Sequence, residues 1–294
     1  MTTRKSYFDP VALAKLSNLL LRARFVVEGV ITGLHRSPYR GSSVEFSEHR
    51  EYSPGDEIRY VDWKVYGKSD RYFIKQFEEE TNLKGYIFLD CSSSMDYASD
   101  GITKFEYGCY VAASLAYLML RQGDPVGLVT FSDSVRRYIP PRSSLSHIHA
   151  IIEELENSKP SGKTSPAKVL GEISGHVKRR GLIILISDLF ADPEETIRAI
   201  RQYRYKKNEV MVFQILDQSE LEFPFSELTI FEDLEDDLRI LSEPRAIREE
   251  YRRIFQAFIK EYERLCRAHH VDYTLFNTAT PLDKALVRYL SKRG

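Results

Sequence analysis

Apolar and polar positions follow two different periods along the chain. After residue 83, short apolar runs bounded by polar residues alternate with longer segments whose apolar residues recur every three or four positions. The short runs are typical of buried strands, and the longer segments are typical of helices that pack on a sheet. This alternation predicts an α/β fold with a doubly wound, mostly parallel sheet.

The individual elements follow from the same pattern. Strands are predicted at residues 85–89, 126–131, 182–186, 210–216 and 271–276, with a short edge strand at 135–139. Helices are predicted at 103–121, 147–155, 166–178, 193–206, 244–268 and 281–292. Two apolar runs around an acidic turn predict a hairpin insertion at about 217–242. Helix 244–268 carries an apolar stripe that predicts a core-facing side, formed by Ile247, Tyr251, Ile254, Phe255, Phe258, Tyr262 and Leu265.

The first part of the chain predicts a smaller unit of a different kind. Asp9-Pro10 is a good helix start, and apolar residues at helical spacing predict a helix over 10–32. Residues 42–82 are irregular, with strand-like runs at 44–46 and 71–77. We therefore divide the chain into an N-terminal helix with a small β unit, 1–82, and a main domain, 83–294. The charged surroundings of Trp63 have two interpretations, an ion-pair network that fixes this unit and a partner-binding surface.

Composition narrows the class of protein. The chain has 294 residues, 42 basic and 43 acidic side chains and a net charge of -1, so no overall charge favours nucleic acid or an anionic membrane. Three widely spaced cysteines indicate neither a disulfide framework nor a zinc site, and they favour a reducing compartment. No signal peptide and no membrane span are recognisable. We expect a cytoplasmic protein without a membrane span or a nucleic-acid partner.

Polar oxygens follow two of the predicted buried strands. Asp90, Ser92 and Ser94 form an Asp-Xaa-Ser-Xaa-Ser run after the first strand, and Asp188 follows the strand 182–186. Parallel strands deliver their carboxyl ends to one edge of a sheet, where Thr164, just before a helix, also fits. Hard oxygen ligands of this kind suit Mg²⁺, with Mn²⁺ or Ca²⁺ as alternatives. Taken alone, Asp90, Ser92 and Ser94 fit an Asp/Ser turn without a metal equally well.

These five residues resemble the metal-ion-dependent adhesion site of the von Willebrand factor type A fold, position by position. Four further segments lie at 41–46, 52–56, 58–63 and 77–82. They make the chain similar to the bacterial domain-of-unknown-function family 58, and this resemblance covers nearly the whole chain. The family resemblance implies a partnership with a MoxR-type AAA+ ATPase or its client, with the type A domain as an adaptor.

The expected function is a non-enzymatic, Mg²⁺-dependent protein-interaction module that binds an Asp or Glu of its partner through the metal. The rival interpretation is a metal-dependent phosphoester hydrolase with a base drawn from Asp96, Asp133 or a histidine. Gly162-Lys163-Thr164 resembles the end of a P-loop, but Asn157 stands where that motif requires glycine. Cys91 has no recognisable base partner and is expected to pack inward.

Overall fold

The computed structural model describes residues 19–21, 23–24, 26–27, 49–51, 72–75, 84–177, 180–236 and 238–291. The chain forms two compact units, one of Met1–Ser37 with Leu83–Gly294 and the other of Pro38–Asn82. This division departs from the expected boundaries, because it groups the N-terminal helix with the main domain rather than with the small β unit. The described residues of that helix include Leu19, Ala23, Val26 and Val27, which are buried in the main core.

A six-stranded sheet forms the centre of the larger unit. Its strands are β3 (Lys84–Asp90), β4 (Val126–Phe131), β5 (Val135–Arg142), β6 (Gly181–Ser187), β7 (Glu209–Leu216) and β10 (Asp272–Asn277). Their order in the sheet is β10-β7-β6-β3-β4-β5, and only the pairing of β5 with β4 is antiparallel. The predicted α/β class and the doubly wound, mostly parallel sheet are confirmed.

Helices cover both faces of this sheet, and the strands show why. Ile87 and Leu89 of β3 face one apolar cluster, whereas Tyr86 and Phe88 face a second cluster on the other side. Successive side chains of a strand point to opposite faces, so a strand that is apolar throughout must be covered twice. The helices are α1 (Lys104–Arg121), α2 (His147–Asn157), α3 (Pro166–Ile173), α4 (Pro193–Tyr205), α5 (Gln218–Glu222), α6 (Pro244–Ala268) and α7 (Leu282–Ser291).

The strand order also fixes where a ligand fits. Strands β3 and β6 are neighbours in the sheet, but β4 and β5 follow β3 on one side while β7 and β10 follow β6 on the other. This is the topological switch point of a doubly wound sheet, where the connections diverge and leave a crevice at the carboxyl ends. The two predicted aspartates come from these two central strands.

Some elements differ from their predicted extent. Helix α3 ends at Ile173 rather than 178. Strand β5 continues to Arg142 through Pro140 and Pro141, which an edge strand tolerates because its outer amides need no sheet partner. The hairpin insertion contains the short helix α5 as well as the antiparallel strands β8 (Thr229–Glu232) and β9 (Arg239–Ser242).

The apolar stripe of α6 is only partly core. Tyr262 and Leu265 are buried, whereas 38% of Ile247 and 56% of Ile254 is exposed. The expectation that the whole stripe is core is wrong for the N-terminal half, and the cause is length. A helix of 25 residues spans about 37 Å, whereas a strand of eight residues spans about 26 Å. The helix therefore extends beyond the sheet.

The smaller unit contains an antiparallel pair of strands. His49–Glu51 (β1) pairs with Phe73–Lys75 (β2), and Arg50 lies opposite Ile74. The strand predicted at 71–77 is therefore present over these three residues. The strand predicted at 44–46 and the interpretations of Trp63 fall outside the described residues.

The described part of the chain has no helix that is both long and apolar enough to cross a bilayer.

The pairing of β4 with β5 gives a test of the sheet edge. A Cβ added at Gly127 would lie 2.5 Å from the carbonyl oxygen of Ile139, which belongs to the partner backbone. We expect Gly127→Ala to lower the free energy of unfolding by about 1 to 3 kcal/mol, because the backbone must move. Gly171→Ala is the control, since α3 leaves open space there and alanine favours helix. Urea denaturation checks both, and equal stabilities would contradict the prediction.

Candidate metal centre

Asp90 accepts hydrogen bonds from several parts of the chain at the carboxyl edge, the edge of the sheet where the parallel strands end. Its side chain is fully buried at the end of β3. Its Oδ2 accepts hydrogen bonds from Thr164 Oγ1 at 2.6 Å and from Ser187 Oγ at 2.7 Å, and its Oδ1 accepts one from the Ser92 amide at 2.9 Å. One carboxylate thus binds the ends of both central strands and the loop that carries Thr164.

The two serines of the Asp-Xaa-Ser-Xaa-Ser run lie together beside Asp90. The Oγ atoms of Ser92 and Ser94 are 3.1 Å apart, and both residues are buried. Ser92 precedes a single 3₁₀ turn, Ser93–Asp96, which brings Ser94 back toward the strand end. The structure therefore gathers four predicted ligands, Asp90, Ser92, Ser94 and Thr164, at one edge.

Backbone contacts hold the Thr164 loop against the loop after β3. The Ser93 amide donates to the Gly162 carbonyl at 2.8 Å, and the Ser161 amide donates to the Cys91 carbonyl at 2.8 Å. Gly162 has a φ of 72°, a left-handed conformation that glycine adopts without strain. Arg136 adds a hydrogen bond to the Lys159 carbonyl at 2.7 Å. The position of Thr164 is thus fixed by long-range contacts rather than by its own sequence.

Asp188, the fifth predicted ligand, is paired with a buried lysine that the sequence reasoning missed. Asp188 Oδ2 lies 2.8 Å from Lys104 Nζ, and both side chains have no exposed surface. The same ammonium lies 2.7 Å from Oε1 of Glu220 on α5 and 4.4 Å from the centre of the Phe190 ring. One feature of the sequence points to such a pairing. Lys104 is the first residue of a helix with an N-cap, where the helix macrodipole disfavours a cation unless a carboxylate lies beside it.

Burial and charge shift the pKa values of these groups. Burial, followed by the nearby charge of Asp188, raises the pKa of Asp90 to about 6, although hydrogen bonds from Thr164 and Ser187 act in the opposite direction. Burial lowers the pKa of Lys104, but the carboxylates of Asp188 and Glu220 outweigh it, so the net shift is upward. Lys104 therefore stays charged, and the unfavourable effect of burial is seen in the raised pKa of Asp90.

The donor set suits a hard cation. Two carboxylates and three hydroxyls offer only oxygen, as Mg²⁺, Mn²⁺ and Ca²⁺ prefer. In the described part of the chain, no group of three or more His, Cys, Asp or Glu side chains is placed to hold a metal ion, so an ion at this edge would depend on the hydroxyls as well as the two carboxylates. The five residues therefore fit Mg²⁺, with water completing its coordination. Their assignment as ligands stays a prediction.

Among the described residues, the side chains of the other candidate chemical groups form no hydrogen bond with the predicted ligands. Asp96 and Asp133 are exposed, and within the described residues neither is hydrogen-bonded to a predicted ligand. Cys91 is buried as expected, and burial raises the pKa of its thiol to about 12, so no thiolate nucleophile forms. Cys91, Cys109 and Cys266 are all free thiols.

Comparison with known proteins identifies the family. The family model described as "Protein of unknown function DUF58" matches residues 48–259. The chain belongs to the DUF58 family. This chain is also similar to "Uncharacterized protein Rv1480" of Mycobacterium tuberculosis, with 25% identity over a 293-residue alignment that covers 97% of this chain and 90% of that protein.

Two solved structures are similar to this DUF58 chain. BatB from Bacteroides thetaiotaomicron aligns with 71% of this chain and 98% of its own, at 16% identity and a TM-score of 0.46. The SpRpn10 VWA domain aligns with 69% of this chain and 93% of its own, at 10% identity and a TM-score of 0.40.

Removing Lys104 tests the buried ion pair. Lys104→Met would leave Asp188 and Glu220 without their shared cation, and breaking a buried pair costs about 3 to 5 kcal/mol. Lys163→Met is the matched control, because Lys163 pairs with Asp236 at the surface, where ion pairs contribute little. Urea denaturation in EDTA should show a large loss for the first variant and no measurable loss for the second. Equal effects would contradict a structural role for the buried pair.

The raised pKa of Asp90 predicts a pH dependence in metal-free protein. Between the ordinary pKa of about 4 and the folded value of about 6, the folded state binds the extra proton, so stability falls as pH rises through this window. Asp90→Asn should remove this decline, because the amide does not titrate. Urea denaturation from pH 4 to pH 7 in EDTA checks it. Parallel curves for the two proteins would rule out Asp90 as the titrating group.

Proposed function

We propose that this protein is a non-enzymatic, Mg²⁺-dependent adaptor whose metal binds an Asp or Glu of a protein partner. The fold and the DUF58 family suggest a protein-interaction module. The finer proposal rests on one observation, the Thr164 hydroxyl 2.6 Å from the Asp90 carboxylate beside the paired hydroxyls of Ser92 and Ser94. Asp188 completes the proposed set of ligands.

The composition of the set explains why a partner carboxylate would bind. Asp188 already shares its charge with Lys104 at 2.8 Å. A divalent ion at this edge is therefore left with incomplete charge compensation from protein, and water fills its remaining positions. A partner Asp or Glu that replaces one water would supply the missing negative charge. The module would then recognise a carboxylate rather than a base or a phosphate backbone.

The hydrolase alternative requires a general base, drawn from Asp96, Asp133 or a histidine, as well as the ion. A hydrolytic mechanism needs a base within hydrogen-bond reach of the attacking water. Among the described residues, neither Asp96 nor Asp133 contacts the predicted ligands through a hydrogen bond. A phosphatase and phosphodiesterase panel with Mg²⁺ and Mn²⁺ tests this alternative, and turnover that Asp90→Asn abolishes would favour it.

The resemblance of the motifs extends the proposal to a partner. We propose a MoxR-type AAA+ ATPase, or a client of that ATPase, as the source of the carboxylate. The free, buried Cys91, Cys109 and Cys266 fit a location in the reducing cytoplasm.

The metal-bridged contact predicts a specific result in a binding assay. Asp90→Asn should abolish Mg²⁺-dependent capture of a co-expressed MoxR-type ATPase, because it removes the least compensated charge of the site. Asp133→Asn is the control, since it removes an exposed carboxylate nearby. Loss of a single partner carboxylate should match Asp90→Asn without adding to it, because one ion joins both groups. Additive losses in the double variant would show that no ion bridges the proteins.

A further inference from the structure

The central sheet has two edge strands, and they differ in how far they resist the addition of another strand. Strand β5 carries Pro140 and Pro141, and its pairing with β4 is interrupted by register shifts. Prolines and bulges are common devices that keep an edge strand from pairing further. Strand β10, at the other edge, contains no proline, and its pairing with β7 is regular over Asp272–Asn277. The β10 edge is therefore open to a further strand.

The backbone of β10 presents hydrogen-bonding groups on the side away from β7. The Thr278 amide donates to the Leu216 carbonyl of β7 at 3.0 Å. Along a parallel strand, residues that bond to the neighbouring strand alternate with residues that do not, so the amides of Tyr273, Leu275 and Asn277 point outward. Among the described residues, these three amides have no hydrogen-bond partner. Such a row of outward amides is the template on which an extended peptide pairs.

Two helices flank this edge and form a cleft along it. Helix α6 packs on one face of the sheet through Tyr262, and α7 packs on the other face through Leu282. A cleft of about 600 Å³ is lined by β10 and by both helices. An added strand lies about 4.8 Å from its neighbour, so an extended peptide fits between the helices. A second copy of this chain fits less well, because its own β10 is flanked by the same two helices.

The two sides of the cleft differ in chemistry. On the α6 side lie Leu275, which shares its face of β10 with Tyr273, and Ile259. Glu263 also lies on that side and disfavours an acidic side chain there. On the α7 side, Lys284 is exposed and forms no ion pair with any described residue. The side chains of an added strand alternate between the two sides, so a peptide of alternating apolar and acidic residues matches the cleft.

We propose that the β10 edge binds an extended segment of a partner protein, with alternating apolar and acidic residues, as a seventh strand of the sheet. The six residues of β10 can pair with a segment about 20 Å long. The apolar side chains of that segment contact Leu275 and Ile259, and its acidic side chains face Lys284. Strand β10 is three strands from β3 in the sheet order, and this contact needs no ion. The inference is therefore independent of the proposed metal site.

A capped, fluorescent peptide with the core Val-Glu-Val-Glu-Val-Glu is the probe, and binding to the full-length protein is measured by fluorescence anisotropy in EDTA. Wild type should bind it. Amide hydrogen exchange then locates the peptide, because strand addition should slow exchange at Tyr273, Leu275 and Asn277 by about tenfold or more. The amides of Thr274 and Phe276 are the internal control, since they face β7 and their exchange should not change.

Variants test the backbone and the charge separately. Leu275→Pro removes an outward amide, which an edge strand tolerates, and should weaken peptide binding about tenfold or more. Leu275→Val is its matched control, because it keeps the amide and should bind like wild type. Lys284→Glu should weaken binding of the acidic peptide and strengthen binding of a matched peptide with lysine in place of glutamate. Urea denaturation checks that each variant remains folded.

The outcomes separate this inference from the proposed function. Failure of wild type to bind millimolar peptide, or binding that leaves the outward amides unprotected, would overturn the inference and leave the proposed metal site untouched. Binding that requires Mg²⁺ and is lost in Asp90→Asn would place the peptide at the Asp90 edge and would also overturn the inference. Equal binding of the acidic and the basic peptide by wild type would overturn the assignment of an acidic segment.

Discussion

The buried carboxylate of Asp90 is the contact on which the carboxyl edge of the sheet depends. It accepts hydrogen bonds from Thr164, Ser187 and the Ser92 amide, so one side chain joins three separate parts of the chain. Hydrogen bonds to a charged group contribute about 1.5 to 3 kcal/mol each, yet burial of the charge costs several kcal/mol. The pKa of Asp90 is raised to about 6, so burial and the nearby charge of Asp188 outweigh these hydrogen bonds. A divalent cation would shift the balance toward the ionised form.

The Lys104–Asp188 pair explains how a second carboxylate can lie beside the first. Two unpaired carboxylates at neighbouring strand ends would repel each other, and one of them would keep its proton. Lys104 supplies a fixed positive charge to Asp188 and also binds Glu220, so it connects the start of α1 to α5 in the insertion. The two aspartates that the site offers a metal therefore differ. The charge of Asp188 is strongly compensated by Lys104, whereas the charge of Asp90 is compensated much less.

Local pattern was enough to predict the sheet and the grouping of Asp90, Ser92, Ser94 and Thr164 at one edge of it, whereas their role as ligands stays a prediction. Strands β3 and β6 are apolar throughout, and their position in a doubly wound sheet brings Asp90 and Asp188 to one edge whatever the loops do. Lys104 was not predicted, because its pairing with Asp188 is a contact across 84 residues of chain. The prediction that the whole apolar stripe of α6 is core was wrong for a related reason. Helical periodicity shows which side is apolar, but the length of the neighbouring strands decides how much of that side is covered.

The central claim is that the edge between β3 and β6 holds a divalent cation with an open position. Anomalous diffraction from crystals grown with Mn²⁺ tests it most directly. The account predicts one strong peak within coordination distance, about 2.0 to 2.6 Å, of oxygens from Asp90, Ser92, Ser94 or Thr164. It also predicts an open position, so at least one further ligand should come from outside the Asp-Xaa-Ser-Xaa-Ser run, Thr164 and Asp188. A fully ordered edge without a peak, or a peak bound only elsewhere, would contradict it.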